Sequence, residues 1–149
     1  MLQHQAEILG IIRRSEAMLA HDVRDVPGLA RARWALVRAL TAYQLFKHRE
    51  VFDPMLAKAR PAEAHRLAEM KRTCTAMGEA FRLYVQKWSA TDVGGQWDEY
   101  QQAAHTMIAR IRTHMAGERA NVTAILSQDG PIRPPADVPR CGDRPRPAG

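Results

Sequence analysis

At 149 residues, with 46% hydrophobic and 26% charged positions, the chain has the composition of one ordinary globular domain and not that of a disordered or fibrous protein. Its formal charge is +6, but basic residues alternate with acidic ones, as in Arg13, Arg14 and Glu16 or Arg49 and Glu50, the pattern of a solvated helix face. With no recognition motif beside that charge, no disulfide framework from Cys74 and Cys141, no apolar run of bilayer length and no secretory pattern at the start, the expectation is a cytoplasmic protein that binds neither nucleic acid nor membrane.

Ala, Leu, Arg, Glu, Gln and Met fill most positions and β-branched runs are nearly absent, which predicts an all-α fold. The first helix spans about Leu2 to Ala20, with Gln5, Ile8, Leu9, Ile12 and Leu19 on one side and Arg13 and Arg14 turned away. Gln5 interrupts that apolar side, and His4 lies about 100° round the helix from it. After a connection at His21 to Asp25, Asp25 caps a second helix that carries Pro27 in its first turn and continues to about Lys58, bent or ended by Pro54. Its apolar positions Val37, Leu40, Val51 and Met55 form an inward stripe, with Gln44 and His48 on two steps of it. A buried amide or imidazole left unpaired costs roughly 1–3 kcal/mol, so both need partners.

Arg60 and Pro61 mark the next break, and Pro61 with Glu63 starts the third helix. On it Leu67, Met70, Cys74, Met77, Phe81, Tyr84 and Trp88 step by three and four, which places Met70 and Cys74 in the core. Thr91 to Gly95 read as a loop, and a last helix begins near Gln96. Its inner stripe is Tyr100, Ala104, Met107, Ile111, His114, Glu118, Val122 and Ile125, so His114 and Glu118 stand one turn apart facing inward. A carboxylate there requires a cation, a metal or several donors, and a histidine beside it has a raised pKa. From residue 128 to 149 the chain is rich in Pro and Arg and poor in large apolar residues, which predicts a disordered tail, with a polyproline docking peptide as the alternative.

Residues 1–127 are therefore expected to form an up-down-up-down antiparallel four-helix bundle, monomeric or homodimeric, with Gln5, Gln44, His48, Met70, Cys74, His114 and Glu118 at matching depths inside it. The stretches QAEILGIIRR, YQLFKHREVFDPML and HTMIARIRTHMAGERANVTAIL resemble the hemerythrin-like (HHE cation-binding) domains. That resemblance implies a bundle whose imidazoles and carboxylates bind two bridged irons. His114 and Glu118 match the helix-four motif. Elsewhere the chain departs from it: Gln5 and Gln44 stand where the first two histidines belong, His48 where the bridging Glu belongs, and Met70 and Cys74 where helix three offers imidazoles. Amide and thioether suit non-haem iron poorly, so a standard di-iron centre is not the expectation.

What remains is either a single iron or zinc on His48, His114 and Glu118, with Cys74 and Gln44 as additional candidate ligands and Gln5, Gln44, Met70 and Cys74 lining the pocket, or a metal-free polar network in which Glu118 accepts from His114 or His48 and Gln44 completes the bonds. Two functions follow from these. One is a degenerate hemerythrin-like module that binds a protein partner or small ligand in a regulatory role. The other is a non-haem metal protein that senses or handles oxygen, nitric oxide or peroxide. A nucleophile enzyme ranks below both, since neither cysteine has a histidine within a few positions of it to act as its base.

Overall fold

A computed structural model describes residues 1–128, and among them every regular element is helical and none is a strand. The Pro- and Arg-rich tail, with Cys141, lies outside the described residues. The elements are α1 (Leu2–Ala20), α2 (Val26–Phe46), a π-helical segment (Lys47–Phe52), α3 (Asp53–Lys58), α4 (Pro61–Ser89) and α5 (Trp97–Gln128). From α2 to α3 the backbone never leaves helical geometry, so Val26 to Lys58 is one rod, widened where the π segment interrupts it. No helix among the described residues is long and apolar enough to cross a membrane.

The helix starts follow their sequence signals. Asp25 Oδ1 accepts the Gly28 N–H at 2.8 Å, with Pro27 in the first turn. Glu63 Oε2 accepts the Arg60 N–H at 3.1 Å, and α4 begins at Pro61. The rod does not end at Pro54, and its departure from α-helical geometry lies upstream, in the π segment. Proline lacks an N–H and its ring crowds the carbonyl four residues earlier, and the wider π turn over Lys47–Phe52 accommodates both.

The start of α1 meets the end of α2 and the second half of α5, since Gln5 Nε2 lies 2.8 Å from Tyr43 Oη and 3.4 Å from the Met115 carbonyl. The end of α1 meets the beginning of α5, where Gln101 donates to the Leu19 carbonyl at 2.9 Å. A large apolar cluster built on Ile8, Ile12, Leu36, Phe81, Trp88 and Ile111 fills most of the interior, and a smaller one, with Phe52, Leu67, Met70 and Val122, closes the end beyond Lys47. Phe81 and Trp88 are buried as their periodicity predicts.

The inward face of α2 differs from the expected one. Leu29, Arg33, Leu36, Ala39 and Tyr43 are buried, while Val37, Leu40, Gln44, His48, Val51 and Met55 are all half-buried along the rod's flank. The true stripe contains Arg33 and leads to Lys47, and two charges make it look polar in sequence. Arg33 is accommodated because it donates to the Trp88 carbonyl at 3.3 Å, where the C-terminal turn of α4 carries partial negative charge, and lies over the Tyr100 ring.

The cap at Asp25 depends on the missing side chain at Gly28, where a Cβ would fall 2.0 Å from Asp25 Oδ2. Asp25→Ala should cost about 1 kcal/mol in chemical denaturation. Gly28→Ala should destabilise the wild type but not the Asp25→Ala background, because both changes remove the same hydrogen bond.

Candidate functional site

Lys47, the first residue of the π segment, points into the bundle and is only 3% exposed. Its Nζ lies 2.5 Å from Glu118 Oε1, donates to Cys74 Sγ at 3.1 Å and sits 4.3 Å above the centre of the Tyr43 ring. Tyr43 donates its hydroxyl to Glu118 Oε2 at 3.2 Å and accepts from Gln5 Nε2. His114 Nε2 lies 2.9 Å from the same Oε1 that Lys47 contacts, but out of line, and has no hydrogen-bond acceptor. One buried carboxylate thus gathers an ammonium, an imidazole and a phenol from two helices.

Electrostatics follow from this packing. Burial works against the charge on Glu118, yet His114 and Lys47 outweigh it and hold the carboxyl below its ordinary range. Burial likewise opposes a charge on His114, but Cys74 and Glu118 override it and push the imidazole up to about 9. Burial first, and the Glu118 charge second, raise the Tyr43 phenol well above its usual value and keep it neutral. His48 moves the other way, lowered by burial and then by Lys71 and Lys47.

Among the sequence-predicted residues, the structure groups Cys74, not His48, with His114 and Glu118. Their donor atoms all lie within 4.8 Å of one another, and this buried group could hold a single metal ion. His48 stands aside with its ring edge-on to Phe52, 5.5 Å between centres, and its Nε2 buried without a partner. Gln5 is fully enclosed and braces Tyr43, while Met70 belongs to the small apolar cluster, so neither lines the cavity as expected. Gln44 and Cys74 do line it. The fold also gives Cys74 a buried basic neighbour, Lys47, from 27 positions away in the sequence.

Lys47 and Tyr43 were not found from sequence. Their signal is a four-residue spacing on the stripe through Arg33 and Leu36, which reads as a solvent-facing edge until partners from α4 and α5 are known. Lys47 also decides the fit to a di-iron centre. Such a centre needs bridging carboxylates and several imidazoles, whereas this cluster offers one carboxylate, one imidazole and one thiol, with an ammonium already among them. The residues do not fit it.

Beside the cluster a half-open cavity of about 770 Å³ runs between α2 and α4. Val37, Leu40, Phe81 and Val85 contribute apolar wall, and Lys47, Cys74 and His114 stand at one end. Gln44 reaches across toward α4 where Gly78 leaves room, since a Cβ there would come 3.1 Å from Gln44 Oε1. No protein-family model, curated protein or solved structure matches the chain.

Removing one partner of a buried pair leaves the other charge uncompensated, so Lys47→Met should cost about 3–5 kcal/mol in denaturant unfolding, and Lys47→Met with Glu118→Gln together should cost less than Lys47→Met alone. The raised pKa of His114 fixes a pH dependence. Its contribution is fully present below the ordinary value of 6.5 and is lost as pH rises through about 9, because over that window the folded state holds a proton that the unfolded state has released. Unfolding free energy measured between those limits should fall more steeply in wild type than in His114→Gln.

Proposed function

We propose that the chain is a hemerythrin-like up-down-up-down bundle whose iron position has been taken over by a lysine ammonium. In this reading it works as a metal-free binding or regulatory module, and its site is the cavity between α2 and α4. The observation that carries this is the placement of Lys47 Nζ, 2.5 Å from Glu118 Oε1 and 3.1 Å from Cys74 Sγ, among the groups that would otherwise serve as ligands. An ammonium there supplies the positive charge that the buried carboxylate requires, and it does so without a metal. Contacts between the start of α1 and the second half of α5, and between the end of α1 and the start of α5, support the antiparallel arrangement.

A second reading is favoured by the spacing of Cys74, His114 and Glu118, whose thiol, imidazole and carboxylate form a donor set suited to zinc or a single non-haem iron. It would make the protein a sensor or handler of oxygen, nitric oxide or peroxide, and it requires Lys47 to give up both its contacts. Elemental analysis separates the two. Protein purified without chelator should carry no stoichiometric iron or zinc, and neither Fe(II) nor Zn(II) should raise its melting temperature. Lys47→Ala removes the competing cation, so that variant should gain a zinc-dependent rise in melting temperature that wild type lacks. Stoichiometric metal in the wild type would establish the second reading instead.

A further inference from the structure

Lys47 and Glu118 neutralise each other, but Arg33, the other buried residue of fixed charge, pairs with no carboxylate among the described residues. A guanidinium stays charged throughout the pH range of a folded protein, so the interior cannot relieve this charge by releasing a proton. Nη1 donates to Tyr100 Oη at 3.5 Å and Nη2 to the Trp88 carbonyl at 3.3 Å, both long for hydrogen bonds, while the Nε–H is buried without an acceptor. A phenol oxygen, a carbonyl and the face of the Tyr100 ring each bring partial negative charge, and none brings a whole one. A buried charge left in that state is costly.

Arg33 lines a small cavity, of about 30 Å³, where α1, α2, α4 and α5 converge. A void needs roughly 10–15 Å³ to hold a water, so this one has room for a single monatomic ion and too little for a sulfate, a phosphate or an organic acid. The rest of its wall is neutral. Leu29, Ala104 and Ile108 are among its apolar members, and Ser15, Tyr84 and Tyr100 are its polar ones. Ser15 already donates to the Ile11 carbonyl at 3.0 Å. Tyr84 cannot supply the missing charge as a phenolate, because burial first and Tyr100 second push its phenol well above the usual range. A water in the cavity would offer Arg33 an acceptor but no charge, whereas an anion offers both.

We propose that this cavity is a halide site that holds one chloride as the counter-ion of Arg33. The ion accepts from the guanidinium and completes the charge balance at the level where the four helices meet. Lys47 is about 20 Å further along α2, so the halide site is separate from the binding-module function and goes beyond it. An ion held only by the folded state stabilises that state by mass action.

Thermal melts of the full chain in sodium chloride and sodium gluconate, mixed at one ionic strength, test the proposal. Gluconate is too large to enter the cavity, so the melting temperature should rise saturably as chloride replaces it, and bromide should act likewise. Arg33→Met should remove the halide dependence and melt no lower than wild type does in gluconate, since an apolar side chain there needs no counter-ion. Arg33 also contacts Trp88 and Tyr100, so the variant can fail to fold, and crystals of the wild type grown from bromide provide an independent test. One anomalous peak should stand within hydrogen-bonding distance of the Arg33 guanidinium. Identical wild-type melts in chloride and gluconate, an unchanged halide dependence in folded Arg33→Met, or a water in place of bromide beside Arg33 would each overturn the proposal.

Discussion

A lysine ammonium and a glutamate carboxylate, both almost wholly withdrawn from water, govern the interior of this bundle. Taking two charges out of solvent costs several kcal/mol per ion, and their attraction compensates only when every remaining donor and acceptor is also met. The surrounding side chains show that requirement. Tyr43 serves Glu118 with its hydroxyl and Lys47 with its ring face, and Gln5 holds that hydroxyl in place from α1. The network joins α1, α2, α4 and α5 at one level, so the helix register there is fixed by polar matching as well as by apolar fit.

The same pair explains why α2 needs its irregular end. Lys47 opens the π segment and Phe52 closes it, and both are buried although five positions separate them. In a regular α-helix residues three or four apart share a face, whereas a π turn brings positions five apart closer to alignment. The widened turn thus delivers a charge to the network and an aromatic ring to the small apolar cluster from one continuous rod, with Pro54 two residues beyond it.

The all-helical fold was legible because apolar residues alone set the phase of α1, α4 and α5. Ile8 and Ile12, Leu67 and Phe81, or Ile111 and Val122 could not have been placed outward without exposing large side chains together. His114 and Glu118 were legible as the polar pair on one such stripe. Lys47 was not, because its partners Cys74 and Glu118 are 27 and 71 positions away and local sequence carries no trace of them. By the same logic Gln44 and His48 were assigned to the core from their apolar neighbours Val37 and Leu40, when that whole flank borders a cavity or the rod's edge. Periodicity identifies a face, but it does not distinguish packing against a helix from lining a space.

The short segment that follows the π turn, Asp53–Lys58, contains no buried residue, and an exposed ion pair from Asp53 to Lys71 helps tie it to α4. Such a pair contributes little against local opening. Amide protons of this last turn and a half therefore exchange with solvent through fraying that leaves Phe52 and Lys47 seated, while those of Leu36 to Tyr43 exchange only when the bundle as a whole comes apart. The rod from Val26 to Lys58 should accordingly open as two cooperative units in one covalent helix, with the boundary just after Phe52. An amide-exchange profile along it would show protection dropping sharply there, with no matching break in the helical signal.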